Sequence, residues 1–182
     1  MTTFISLLRG INVSGQKQIR MEDLRAVYEA LGLEKVRSYV QSGNVLFNSF
    51  ETDPARLARL IETQIERTFG FTTPVITRTV TDLEQVLANN PFLNERQAEP
   101  TSLYVTLLSA LPSEGARNVI NNPSKDGDEF FLAGREVYVF CPNGYGRTKL
   151  NNTFFEKKLG ITATTRNWKT VSTLYRMAVD QA

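Results

Sequence analysis

Three short stretches of this sequence carry residue types that could hold an anion. The first is Arg9–Ile19 (RGINVSGQKQI), read together with Gln41–Ser42–Gly43–Asn44. It sets Arg9 and Lys17 beside the amides of Asn12, Gln41 and Asn44, the hydroxyl of Ser42 and three glycines. Glycine in a loop entering a helix lets backbone N–H groups turn toward a negative charge. The second is Pro142–Leu150 (PNGYGRTKL), where Arg147 and Lys149 flank the expected start of a helix capped by Thr148. A cation there opposes the helix dipole unless an anion lies nearby, and Tyr145 adds a stacking face. The third is Thr162–Trp168 (TATTRNW), with Arg166 expected just ahead of a final helix, Asn167 as its cap and Trp168 as a buried anchor. The candidate ligand-binding residues are therefore Arg9, Asn12, Lys17, Gln41, Ser42, Asn44, Tyr145, Arg147, Lys149 and Arg166.

Other chemistry is narrowed by what the chain lacks. It has no histidine and a single cysteine, Cys141. Those counts exclude a zinc site of the usual Cys/His kind, a disulfide within the chain, and Ser-His-Asp or Cys-His catalysis. Carboxylate, lysine or tyrosine chemistry remains, or binding without chemistry. Ser14 and Lys17 match S-x-x-K, but in a glycine-flanked loop rather than on the helix that motif requires. Gly146 is followed by Arg147–Thr148–Lys149, so the phosphate-loop spacing is not met. Asp126–Gly127–Asp128–Glu129 clusters carboxylates without calcium-loop spacing. No metal site is expected, and the identity of any cofactor is not readable from these residues.

The elements that must position these stretches read as two similar halves. In the first, Thr3–Leu8 is a buried strand, and Met21, Leu24, Val27, Tyr28 and Leu31 recur at helical spacing up to Gly32. Val36–Gln41 and Val45–Asn48 are strands around a turn. Asp53–Pro54 opens a helix that Gly70 closes, and Pro74–Arg78 is a last strand. Thr81 with Glu84 reads as a capping box for a short helix, and 91–100 as a linker. The second half begins likewise: a strand over Ser102–Leu108, a helix from Pro112, strands Glu129–Leu132 and Glu136–Phe140 around Gly134, then helices over Leu150–Leu159 and from Trp168. The orders are βαββαβ and βαββαα. The expectation is an α+β fold of two ferredoxin-like halves, 1–80 and 101–182, joined by a helical linker over 81–100. In that topology the loop after the first strand and the turn after the second share one end of the sheet.

Composition agrees with an ordinary globular chain: 182 residues, 41% apolar and 22% charged, with a formal net charge of +2. The charge is uneven, at +2 over 1–50, −5 over 51–134 and +5 over 135–182. No stretch is apolar for long enough to span a membrane. The lone cysteine suits a reducing compartment, so a cytoplasmic location is expected.

The segments LLRGINVSGQKQIRMEDLRAVYEALG, VRSYVQSGNVLF and GYGRTKLNNTFFEKKLGITATTRNWKTV closely resemble a widespread bacterial family of uncharacterised conserved proteins, a domain of unknown function. The resemblance covers nearly the whole chain and implies two subdomains similar to the ferredoxin-like fold, with no established activity, substrate or cofactor. Arg9, Gly10, Asn12, Gly15, Lys17 and Gln41–Asn44 match its first pattern. Tyr145, Lys149, Leu150, Lys157 and Thr165–Trp168 match its second. Ser14 stands where that pattern has glycine.

The function these readings favour is binding of a phosphate-bearing ligand, a nucleotide or nucleic acid, through the basic glycine loops. The alternatives are a histidine-independent enzyme for a small anionic substrate, with Lys17, Lys149 or Tyr145 moving protons, and a structural protein whose basic ends meet a neighbour's acidic middle. The loops 9–19 and 145–149 are expected to approach one another in a shared site.

Overall fold

The computed structural model describes all 182 residues, which divide into two units, Met1–Glu84 with Thr173–Ala182, and Gln85–Ser172. The first unit holds β1 (Thr2–Leu8), α1 (Met21–Ala30), β2 (Glu34–Tyr39), β3 (Asn44–Ser49), α2 (Pro54–Phe69) and β4 (Val75–Thr79), after which α3 (Val80–Ala88) begins. The sheet runs β2-β3-β1-β4 with every pair antiparallel, the ferredoxin-like arrangement. Local chemistry sets the helix ends. The Asp53 carboxylate accepts from the Ala55 N–H, Pro54 takes the first helical place, and Gly70 closes α2 at φ +77°.

Alternation along β1 gives the sheet two distinct faces. Phe4 and Leu8 point with Val45, Phe47 and Val75 into the core made with Leu24, Tyr28, Leu57 and Ile61 of α1 and α2. The Tyr28 hydroxyl is buried there 2.7 Å from Ser6 Oγ, and burial raises its pKa well above the ordinary phenol value. On the far face Thr3 Oγ1 donates to Asn48 Oδ1 at 3.1 Å. The same oxygen accepts from Gln181 Nε2 at 3.1 Å, and Lys35 Nζ donates to the Gln181 carbonyl at 3.2 Å. The last ten residues thus belong to the first unit through named bonds.

The second unit contains α4 (Pro91–Arg96), β5 (Leu103–Leu108), α5 (Glu114–Val119), β6 (Glu129–Ala133), β7 (Glu136–Phe140), α6 (Asn152–Leu159) and β8 (Ala163–Asn167), and α7 (Trp168–Val179) starts within it. Its sheet runs β6-β7-β5-β8, again all antiparallel. The two units repeat one another bond for bond at the same end. Leu8 N–H donates to Gly43 O at 2.8 Å, and Leu108 N–H to Arg135 O at 2.9 Å. Arg9 N–H donates to Pro74 O at 2.9 Å, and Ser109 N–H to Thr162 O at 2.9 Å. Arg78 of β4 stands opposite Ile5, and Arg166 of β8 opposite Val105.

The fold is α+β with two ferredoxin-like halves, as the sequence leads one to expect, with three local corrections. The second half is βαββαβ followed by a helix, because Ala163–Asn167 is a strand rather than a loop. The reciprocal cap ahead of α3 is Thr79 with Asp82, not Thr81 with Glu84: Thr79 N–H donates to Asp82 Oδ2 at 2.9 Å and Asp82 N–H to Thr79 Oγ1 at 3.1 Å. The stretch 91–100, expected as linker, opens with α4, where the Asn90 side chain accepts from Phe92 N–H.

Candidate functional site

The repeat exposes where the halves differ. Between β5 and α5 the chain uses five residues, Ser109–Ser113; between β1 and α1 it uses twelve, Arg9–Arg20. The longer loop is also strained, with Asn12, Ser14 and Lys17 at φ of +53°, +51° and +46° in addition to Gly10 and Gly15. Left-handed backbone costs a non-glycine residue about 1–2 kcal/mol, so surrounding bonds must hold these three in place.

Asn12 supplies most of them. Its Nδ2 donates to the Ile19 carbonyl at 3.0 Å and to the Gln41 carbonyl at 2.8 Å, while its Oδ1 accepts from Ile19 N–H at 2.8 Å. One side chain thereby ties the two ends of the loop to each other and to the β2–β3 turn. Lys17 Nζ donates to the Thr72 carbonyl at 2.7 Å and lies 5.9 Å from the centroid of the Phe71 ring, fastening the loop to the α2–β4 connection. Thr73 Oγ1 adds a bond to the Arg9 carbonyl at 3.0 Å. In the turn, the buried Asn44 amide donates to Tyr39 O at 3.1 Å and Ser42 Oγ at 2.9 Å. Gly43, at φ +78°, has no room for a side chain: a Cβ would fall 2.7 Å from Leu8 Cβ and 2.8 Å from Ile11 Cδ1.

This framework borders a cleft of about 440 Å³, lined by Asn12, Gln18, Ile19, Arg20, Asp23, Gln41 and Phe69. Its volume lies within the range of small-molecule sites. Arg20 Nε and Nη2 donate to the two Asp23 oxygens at 2.8 and 2.9 Å. The guanidinium holds the Asp23 carboxyl below the usual carboxylate range, and the carboxylate in turn raises Arg20. Of the six first-half residues singled out by sequence, Asn12 and Gln41 line the cleft. Lys17, Ser42 and Asn44 build its frame, and Arg9 joins that frame through its backbone. Gln18, Arg20, Asp23 and Phe69 were not anticipated. The available signal was the Arg20-x-x-Asp23 spacing at a helix start and the aromatic pair around Gly70, since Phe69 and Phe71 stack at 6.1 Å.

The second-half loop is built differently from its sequence reading. Tyr145–Arg147 forms a short 3₁₀ turn, and the Tyr145 ring stacks on Tyr104 at 4.9 Å. Thr148 does not cap α6. Its hydroxyl donates to Asp128 Oδ2 at 2.6 Å and accepts from Leu150 N–H at 3.1 Å. The cap is Asn151, which accepts from Phe154 N–H, so α6 starts past Lys149 rather than beside it. Arg147 and Lys149 face solvent. Cys141 is buried, and desolvation pushes its thiol up to about 11 against an opposing bond from Thr148.

Arg166 stands just ahead of the final helix, as expected: it precedes Asn167, whose side chain accepts from the Thr170 N–H at 2.8 Å and caps α7. It also lies on β8 and is buried, with Nη1 donating to Thr164 Oγ1 and to the Thr165 carbonyl, both at 2.9 Å. Desolvation brings its pKa down to about 10. Arg78, at the same register in the first sheet, is also buried, more completely than Arg166, and donates to the Thr77 carbonyl at 3.0 Å. Arg78 and Arg166 thus occupy a repeated, buried position in the two sheets.

The family described as "Protein of unknown function (DUF1697)" matches residues 1–138, a span that takes in the whole first-half cleft. Among solved structures, that of conserved bacterial protein SP0830 from Streptococcus pneumoniae is similar, with a TM-score of 0.72 and 27% identity over 97% of this chain and 98% of that one. No curated protein matches the chain. No helix is long and apolar enough to cross a membrane.

Proposed function

The chain belongs to the DUF1697 family of proteins of unknown function, and from that premise we propose that it is a binding module for a phosphate-bearing ligand, a nucleotide or nucleic acid, received in the cleft of its first half. The observation that carries this reading is the strained twelve-residue loop Arg9–Arg20, where the same connection in the second half needs five residues and none of them is left-handed. Strain of this kind clusters at ligand sites. The lining suits such a ligand: Arg20 offers charge, Gln18 and Gln41 offer donors and acceptors, and Phe69 offers an aromatic wall. An anion bound at Arg20 would displace Asp23 from the guanidinium.

An enzymatic reading is less well supported. The carboxylate in the cleft, Asp23, is held below its ordinary range by Arg20, whereas a general base works best near the operating pH.

Fluorescence anisotropy against short single-stranded oligonucleotides and common nucleotides, at two salt concentrations, tests the proposal. Arg20→Ala should weaken binding about 10- to 150-fold, the equivalent of about 1.5–3 kcal/mol for a hydrogen bond to a charged group. An oligonucleotide should also weaken steeply with salt, a nucleotide less so. The proposal fails if the unmodified chain binds neither class, or if Arg20→Ala and Gln41→Ala bind as it does.

A further inference from the structure

The second sheet ends in a strand whose free edge is unprotected. β6 pairs with β7 alone. The turn between them is the two residues Gly134–Arg135, with Gly134 at φ +59°, so Ala133 and Glu136 form the first hydrogen-bonded pair. Alternation then turns the N–H and C=O groups of Phe130 and Leu132 outward, away from β7. Phe131, between them, is 52% exposed.

The same edge of the first sheet shows how this chain guards a strand when pairing is to be prevented. β2 carries Lys35 and Arg37, and a bulge interrupts its register between Glu34 and Arg37, with Lys35 at φ +49°. Cations and bulges are the usual devices against edge pairing. β6 has neither: its one charged residue, Glu129 at the start, is an anion taken up by Arg96 at 2.7 Å, Phe130–Ala133 is uncharged, and its register with β7 is unbroken from Glu129 to Ala133.

We propose that β6 is a self-association surface whose occupant is β6 of a second copy of this chain, paired antiparallel about a two-fold axis at Phe131. That register sets Phe130 opposite the second copy's Leu132, and Glu129 opposite its Ala133, so no like charges meet along the strand. Each Phe130–Leu132 pair exchanges two backbone hydrogen bonds. Phe131 meets its own copy in the closer, non-hydrogen-bonded position, where side-chain contact is greatest. Charge is complementary at the strand ends. The hairpin tip bearing Arg135, a residue that already interacts within its own chain, falls beside the Asp126–Asp128 segment leading into the second copy's strand, and the axis repeats the contact. Asp126 is solvent-facing, while Asp128 is committed to Thr148. The interface is isologous and closes at two copies.

Sedimentation equilibrium over a wide concentration range should show the mass rising from 20.5 kDa to twice that value. Phe131→Glu and Phe131→Lys each place like charges across the axis and should remain monomeric alone, while an equimolar mixture of the two should recover the dimer. Circular dichroism melts establish that each variant is folded. Amide exchange on the unmodified chain gives a readout free of substitutions: the Phe130 and Leu132 amides should slow as concentration rises, and the β2 edge should not. A chain that stays monomeric at the highest concentration overturns the proposal. So does a dimer that persists in both variants, a mixture that stays monomeric, or exchange at Phe130 and Leu132 indifferent to concentration.

Discussion

Replacing Gly43 by alanine tests the frame of the cleft at the point where it has no slack. Two costs add there. A residue held at φ +78° pays about 1–2 kcal/mol for leaving the glycine region. The added Cβ also lands 2.7 Å from Leu8 Cβ and 2.8 Å from Ile11 Cδ1. Ile11 Cδ1 is the free end of a side chain and can rotate away. Leu8 Cβ is fixed to the backbone of β1, whose N–H donates to Gly43 O at 2.8 Å, so relief requires the turn and the strand to separate. Overpacking of a dense interior costs about 1–3 kcal/mol, giving a total of about 2–5 kcal/mol. Gly15→Ala is the matched control, because Gly15 has φ +74° and a Cβ there meets nothing within 4 Å. Urea unfolding of both variants, with equal slopes, should place Gly43→Ala below Gly15→Ala by about 1–3 kcal/mol. If the two variants lie within about 0.5 kcal/mol of each other, the ordinary scatter of surface substitutions, the tight approach of turn and loop is refuted.

Trp168→Ala should destabilise by about 3–5 kcal/mol in the same assay, since the indole is 9% exposed at the start of α7; an unchanged midpoint would contradict its burial. Arg166→Ala should cost at least about 2 kcal/mol, the scale of hydrogen bonds from a charged donor, through loss of the bonds to Thr164 and Thr165; retained stability with lost ligand affinity would restore Arg166 to the ligand site. Cys141, with its thiol raised from 9.0 to about 11 by burial, should resist alkylation in the folded chain at pH about 8, near the ordinary thiol range. The unfolded thiol ionises first, so its contribution to stability is whole below pH 9.0 and is lost as pH rises toward 11. Urea titrations at rising pH should show a larger loss in the parent than in Cys141→Ala, in which the buried phenols of Tyr28 and Tyr138 still contribute theirs.

Legibility in the sequence followed the kind of signal each element carried. α2 announced itself with Asp53–Pro54 before an apolar stripe and Gly70 after it, and all three do what their types suggest. β8 did not, because its buried positions include Thr164 and Arg166: a strand whose inward face is polar has no alternation of apolar and polar residues to read. The Thr79–Asp82 cap was displaced for a related reason. A helix starting directly from a strand takes its cap from the strand's last residue, which a search of the intervening turn overlooks. For the cleft, topology brought the 9–19 loop and the 41–44 turn to one end, as Asn12 bonded to Gln41 demonstrates. Which side chains would be consumed by the frame was not readable, since Lys17 and Asn44 find their acceptors only through the fold. Arg20 and Phe69 enter the cleft from helix ends that, read locally, mark only where α1 starts and α2 stops.

The bond between Gln181 and Asn48 has a consequence for how the chain is made. The two residues are 133 apart in sequence. Synthesis at about 5–20 residues per second separates their appearance by roughly ten seconds. The first four strands can pair, and α1 and α2 can dock on Phe4 and Phe47, while later residues are still being added. The far face, which holds Thr3, Ile5, Leu7, Leu46 and Asn48, lacks one of its constituents for that whole interval. A nascent chain in this condition presents a paired sheet with an unfinished apolar side. Transiently exposed apolar surface of that kind is what chaperones engage, and ribosome-stalled chains ending short of residue 173 are where such engagement should be strongest.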